Sequence, residues 1–169
     1  EVLGESLFML DLIYRLGVRS IGLTWNERNA IADGVGELNS KGGLSRFGLQ
    51  VISGMNSLGM MIDVSHINEG GFWDVINNSS KPIIASHSCA KAICNHPRNL
   101  NDRQLQALAE IKGVVGINFC QDFLSNSGQA GIDDVVKHIC HIAEIAGVDT
   151  VGFGSDFDGI PSTPQGLEN

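Results

Sequence analysis

The chain has 169 residues, 43% hydrophobic and 18% charged, a composition that builds a packed core and excludes intrinsic disorder. Nineteen acidic residues against eleven basic ones give a net charge of −8, the wrong sign for a general nucleic-acid binder or for docking on an anionic membrane. No apolar run reaches the roughly 18 residues of a membrane-spanning helix.

Leu7, Leu10, Ile13, Tyr14 and Leu16 share a helical stripe that Gly17 stops. An apolar, β-rich run follows at 20–25. Phe47, Val51, Ile52, Met55 and Leu58 form a second stripe ending at Gly59, and the run 60–66 comes next. The spacing predicts a third helix over 70–77 with Asn68 as its cap, then a run at 82–87. A fourth helix opens at Asn101 or Asp102 and passes Leu105, Leu108 and Ile111 to Gly113, where the run 113–119 begins. The fifth covers 133–146, with Val135, Ile139, Ile142, Ala143 and Ala146 inward and Gly147 as its stop, before a last run at 150–156.

The five runs are continuously apolar rather than alternating, as in strands buried on both faces of a parallel sheet with helical crossovers. This α/β order leaves two architectures, an open doubly wound sheet or part of a (β/α)8 barrel. No strand end supplies the GxGxxG turn of a nucleotide-binding sheet. A barrel needs eight strands and about 250 residues. On that reading the chain, which opens on Glu1 rather than methionine, is the C-terminal portion of something longer. Four cysteines without paired spacing predict free thiols and a reducing, cytoplasmic setting.

Polar residues gather where the runs end: Thr24-Trp25-Asn26, Asp63-x-x-His66, Ser86-His87-Ser88, Asn118 and Asp156-x-Asp158. In parallel α/β proteins that edge binds ligands. His66, His87 and Asp156 on three strands predict a metal or acid–base site. Imidazole with carboxylate suits zinc, and also admits manganese, iron or cobalt. His138 and His141 sit one turn apart on an outer helix and read as structural or surface residues. No second cysteine stands near Cys140 to complete a zinc site there. Ser86-His87-Ser88 lacks the GxSxG elbow, Cys89 reads as a small buried residue, and Asp63 as a structural carboxylate. Arg98, just before a helix cap, suits either a substrate carboxylate or a surface salt bridge, and spacing does not decide between them.

Several motifs carry a resemblance. Leu23-Thr24-Trp25-Asn26, Asn29-x-x-Ala32-Asp33-Gly34, Gly43-Leu44-Ser45-x-Phe47-Gly48 and Ile62-Asp63-Val64-Ser65-His66 resemble the renal (membrane) dipeptidase family. So do Ser86-His87-Ser88, His96-Pro97-Arg98-Asn99-Leu100 and Gly154-Ser155-Asp156-Phe157-Asp158-Gly159, and the match runs from about Leu7 to the C-terminus. The resemblance implies a (β/α)8 TIM barrel of which residues 1–169 are the C-terminal portion of one metal-dependent hydrolase domain, roughly strands four to eight. It implies zinc-dependent hydrolysis of dipeptides by a hydroxide bridging two zinc ions. His66 and His87 match ligands of one zinc. Asp156 matches the proton shuttle and substrate contact, and Arg98 the residue that holds the dipeptide's free carboxylate.

Trp25 stands where many members have a histidine. Its indole N–H can donate but cannot carry charge, so either Asn26 helps hold the substrate or this branch handles its substrate differently. The family's His-x-Asp pair and bridging glutamate precede the matched region; no His-x-Asp lies upstream of Leu7, and Glu1 is not assigned the bridge. The resemblance allows a homodimer, with no nucleic acid and no membrane segment in this chain. The alternatives are a hydrolase of another small amide or a lactone, and a non-catalytic truncated barrel domain.

Overall fold

Asparagine, serine and glycine set the helix limits. In the computed structural model, which describes residues 2–168, Glu1 and Asn169 lie outside the described residues. The backbone groups into two compact units, Glu1–Ile83 and Ile84–Asn169, and each is taken in turn.

The first unit runs α1 (Leu7–Arg15), β1 (Ser20–Gly22), α2 (Arg46–Leu58), β2 (Met61–Asp63) and α3 (Glu69–Asn78). The side chain of Ser45 caps α2 by accepting the Gly48 amide at 2.9 Å, and Gly59 ends it at φ +70°. Asn68 caps α3 by accepting the Gly71 amide at 2.8 Å, as its position predicts. Each cap satisfies an amide the helix cannot, worth about 1 kcal/mol. On the inner side α2 buries Val51, Ile52 and Met55. Strands β1 and β2 pair in parallel, with Ile21 opposite Ile62.

Two expectations are corrected here. Leu16 lies beyond the last turn of α1 and is 76% exposed rather than part of the inward stripe. The strands occupy only three residues of the runs 20–25 and 60–66. The Asp63 carboxylate ends β2 by accepting both the backbone amide of Ser65 at 3.0 Å and its hydroxyl at 2.7 Å, a turn that takes the chain off the ladder. Asp63 is therefore structural, as read from sequence.

The second unit holds β3 (Ile84–Ser88), α4 (Asp102–Glu110), β4 (Val114–Asn118), a short α5 (Gln121–Leu124), α6 (Ile132–Ala146), a 3-10 turn (Val148–Thr150) and β5 (Val151–Ser155). The strands are parallel, with β4 between β3 and β5. A reciprocal cap opens α4: Asn101 accepts the Gln104 amide, and Gln104 accepts the Asn101 amide, both at 3.0 Å. Leu105, Leu108, Ile117, Leu124 and Ile142 form its core. Burial on both faces holds for β4 but not for β1 or β5, each of which has one ladder partner within its unit. Ser20 and Gly22 are exposed, and Phe153 is 78% exposed. Among the described residues no helix is long and apolar enough to cross a membrane.

Candidate metal and substrate site

In the first unit the chain leaves β1 through Thr24-Trp25-Asn26 into a loop that spans 26–45. Asn29 shapes its start, donating to the Leu23 carbonyl at 2.9 Å and accepting the amides of Ile31 at 2.7 Å and Ala32 at 3.1 Å. Deeper in the loop, Asp33 is buried and accepts from the Arg28 guanidinium and the Ser40 hydroxyl. Hydrogen bonds from Arg28 and then Ser40 hold its carboxyl below the usual carboxylate range.

Asn26 and His66 meet where this loop crosses the end of β2. The Oδ1 of Asn26 is 2.9 Å from Nδ1 of His66. The indole of Trp25 is 67% exposed, with its centroid 6.3 Å from the His66 ring. Asn26, expected to help hold substrate in place of a histidine, has its carboxamide oxygen engaged by His66.

In the second unit two irregularities aim the strand-end side chains. Between Ala85 and Ser88, β3 spends three residue steps against two on β4, a bulge at Ser86-His87. Between Phe153 and Ser155, β5 likewise spends two steps against one. The Ser86 carbonyl turns toward the neighbouring strands, where a Cβ on Gly116 would lie 2.1 Å from it and one on Gly154 2.0 Å. Only glycine fits either position. The Ser86 hydroxyl is 2.7 Å from Nδ1 of His87.

Past the second bulge, Ser155 and Asp156 adopt φ +28° and +69°. Left-handed backbone at non-glycine residues costs on the order of 1 kcal/mol each and gathers at functional sites. It presents the Asp156 carboxylate to Asn118, whose Nδ2 donates to Oδ2 at 3.0 Å. The Asn118 Oδ1 is itself fixed by the Cys120 amide at 2.6 Å. Gly159 closes over the other oxygen, where a Cβ would come within 2.3 Å of Oδ1.

Arg98 is not a surface residue. It is 6% exposed, its Nη2 donates to the His87 carbonyl at 3.2 Å, and its guanidinium carbon lies 5.4 Å from the centroid of Phe123. His96 stacks on the same phenyl ring at 4.3 Å and accepts the Arg98 amide through Nδ1 at 3.2 Å. Burial, then the Arg98 charge, pushes His96 below the ordinary histidine range, which suits an accepting Nδ1. Asn99 straps this loop to α5, donating to the carbonyls of Cys94 at 2.9 Å and Phe123 at 2.8 Å. Sequence reading missed Phe123, because a four-residue helix shows no period. The available signal was an aromatic residue a few positions past the Asn118 strand end.

The competing motifs have structural roles. His138 is buried, with Nδ1 accepting the Ala90 amide and Nε2 on the Leu124 carbonyl, while His141 bonds Asp102 of α4 at 2.8 Å. All four cysteines are free thiols. Burial pushes the Cys89 thiol up to about 12, and it donates to the Asn118 carbonyl at 3.2 Å, which rules it out as a nucleophile at neutral pH.

Taken singly, the His66 imidazole in the first unit and the His87 imidazole in the second each have chemistry that suits a zinc-type ion. Each imidazole has Nδ1 against a side-chain oxygen, the outer-shell bond that orients a histidine for ligation through Nε2. The number of donors is smaller than a full site needs: among the described residues no group of three or more His, Cys, Asp or Glu side chains could hold a metal.

The model of the membrane dipeptidase family (peptidase family M19) matches residues 1–169. An uncharacterised dipeptidase of Schizosaccharomyces pombe is 44% identical over 169 residues, covering 97% of this chain and 41% of its own length. The uncharacterised protein of the pqqA 5′ region in Klebsiella pneumoniae is 44% identical over 160 residues, covering 89% of this chain and 59% of its own. A crystal structure of a metallo peptidase from Rhodobacter sphaeroides, liganded with a phosphinate mimic of the dipeptide L-Ala-D-Ala, superposes with a TM-score of 0.92 at 38% identity, over 98% of this chain and 50% of that one. The chain thus spans about half the length of the relatives it matches. Its fold is a fragment of their TIM barrel. Membership implies a metal cofactor. The chain belongs to the membrane dipeptidase family.

Proposed function

We propose that the intact protein is a zinc-dependent dipeptidase in which residues 1–169 form the C-terminal portion of one barrel domain. The observation that carries this reading is the family match over the whole chain, with His66, His87 and Asp156 all falling at strand ends. The phosphinate dipeptide mimic held by the Rhodobacter sphaeroides relative supports a dipeptide as substrate.

His66 and His87 are the ligands this chain offers, and a pair of zinc ions would polarise the scissile carbonyl and acidify the attacking water. Asp156 takes the water's proton and returns it to the departing amine. Asn118 orients the Asp156 carboxylate by donating to Oδ2, which leaves Oδ1 and the second lone pair of Oδ2 to take the proton. Arg98 orients the dipeptide by its free carboxylate, a two-pronged contact that a guanidinium makes and an ammonium does not.

Metal analysis of the intact protein together with a dipeptide panel tests the proposal. Zinc should copurify, a chelator should abolish hydrolysis, and added zinc should restore it. Hydrolysis unaffected by metal removal, or a metal-loaded protein inert toward every dipeptide, would overturn it.

A further inference from the structure

The Asn26–His66 contact is over-determined. Besides the 2.9 Å side-chain bond, the segment Gly34-Val35-Gly36 ties the two backbones together: the Gly36 amide donates to the Asn26 carbonyl at 2.7 Å, and the Val35 amide to the His66 carbonyl at 2.8 Å. Gly34 also bridges to Ile67. This closeness needs residues without side chains. A Cβ on Gly34 would lie 2.3 Å from the Asn26 carbonyl oxygen, and one on Gly36 2.8 Å from it. Amide bonds on both sides of the segment set the separation of the Asn26 and His66 backbones, the separation across which the 2.9 Å side-chain bond is made.

The geometry points to Asn26 as a positioning residue for His66, its carboxamide oxygen accepting the Nδ1 proton so that the imidazole is held in the tautomer that ligates through Nε2. This rests on the metallo-dipeptidase reading and assigns a role that strand-end position alone does not reveal. An imidazole in water prefers the opposite tautomer and spins about two side-chain bonds. An acceptor fixed at Nδ1 removes both freedoms before the metal arrives, and also makes Nε2 a better donor. Trp25, on the adjacent position, has no acceptor to do this work.

The test compares the intact wild type with Asn26→Leu, which removes the acceptor, and Asn26→Asp, which keeps one. Zinc affinity is read by competition with a chromogenic chelator, and the His66 tautomer by nitrogen chemical shifts of labelled histidine in metal-free protein. Asn26→Leu should bind zinc about 10–100-fold more weakly and let the Nε2–H tautomer appear, whereas Asn26→Asp should stay within a few-fold of wild type. Wild-type affinity and an unchanged tautomer in Asn26→Leu would overturn the inference. So would a wild-type His66 protonated on Nε2, a measurement that stands even if Asn26→Leu fails to fold. Wild type that binds no zinc would instead defeat the dipeptidase reading, and the tautomer would still decide the role of Asn26.

Discussion

His138 joins two strand-end segments through one ring: its Nδ1 accepts the amide of Ala90, 48 positions earlier, at 3.0 Å, and its Nε2 donates to the carbonyl of Leu124 at 3.1 Å. Those bonds require the neutral imidazole, because a second ring proton would point at the Ala90 amide. Burial lowers its affinity for protons, opposed by the Leu124 bond; His141 and Lys137 lower it further and Asp134 raises it. As pH falls through about 6.5 the unfolded imidazole charges and the folded one resists, so the unfolded state binds more protons and stability drops. Above that pH both forms are neutral and the contribution is flat. His138→Gln should cost roughly 1–3 kcal/mol at pH 7.5 through an unpaired buried group, and the gap to wild type should narrow toward pH 5. Urea unfolding at pH 7.5, 6 and 5 measures it; a gap constant across that range would refute the argument.

Gly116 and Gly154 face one carbonyl, that of Ser86, and neither has room for a methyl group. Alanine at either should destabilise the protein by about 1–3 kcal/mol as the strands part. Gly22→Ala is the control. A Cβ there would meet only the Thr24 carbonyl oxygen at 3.9 Å and Asp63 Oδ2 at 4.0 Å, ordinary contact distances. Thermal unfolding of the three variants should show two losses and no loss in the control.

Arg98 is held by the His87 carbonyl and the Phe123 ring, so Arg98→Lys should fold while losing its planar fork. KM for free dipeptides should rise at least tenfold, and KM for the corresponding dipeptide amides should change far less. Equal rises for both substrate types would remove Arg98 from carboxylate recognition.

The helix stops and caps were legible in the sequence because they are local: Gly59 donates its amide to carbonyls, and Asn68 and Asn101 accept amides, all within four residues. Strand ends were legible as an edge, since a histidine closing an apolar run needs a reason to be there. Strand lengths were over-read, because apolar content does not register where an Asp63-type turn takes the chain off the ladder. The Asn26–His66 bond could not be read at all. It joins residues 40 positions apart, and the path that brings them together depends on Asn29, the Arg28–Asp33 pair and two glycines acting at once. Arg98 stood undecided on spacing; burial against α5, an element too short to announce itself, removes the surface salt bridge and leaves the carboxylate role as a proposal.

Of the four cysteines, Cys89, Cys94 and Cys120 are buried and Cys140 alone lies exposed, on α6. Burial also raises the three enclosed thiols, so they are protonated as well as out of reach. A thiol reagent therefore counts one group on a folded chain and four on an unfolded one. That difference makes the ordinary colorimetric thiol assay a clock for opening of these residues, with Cys140 marking time zero.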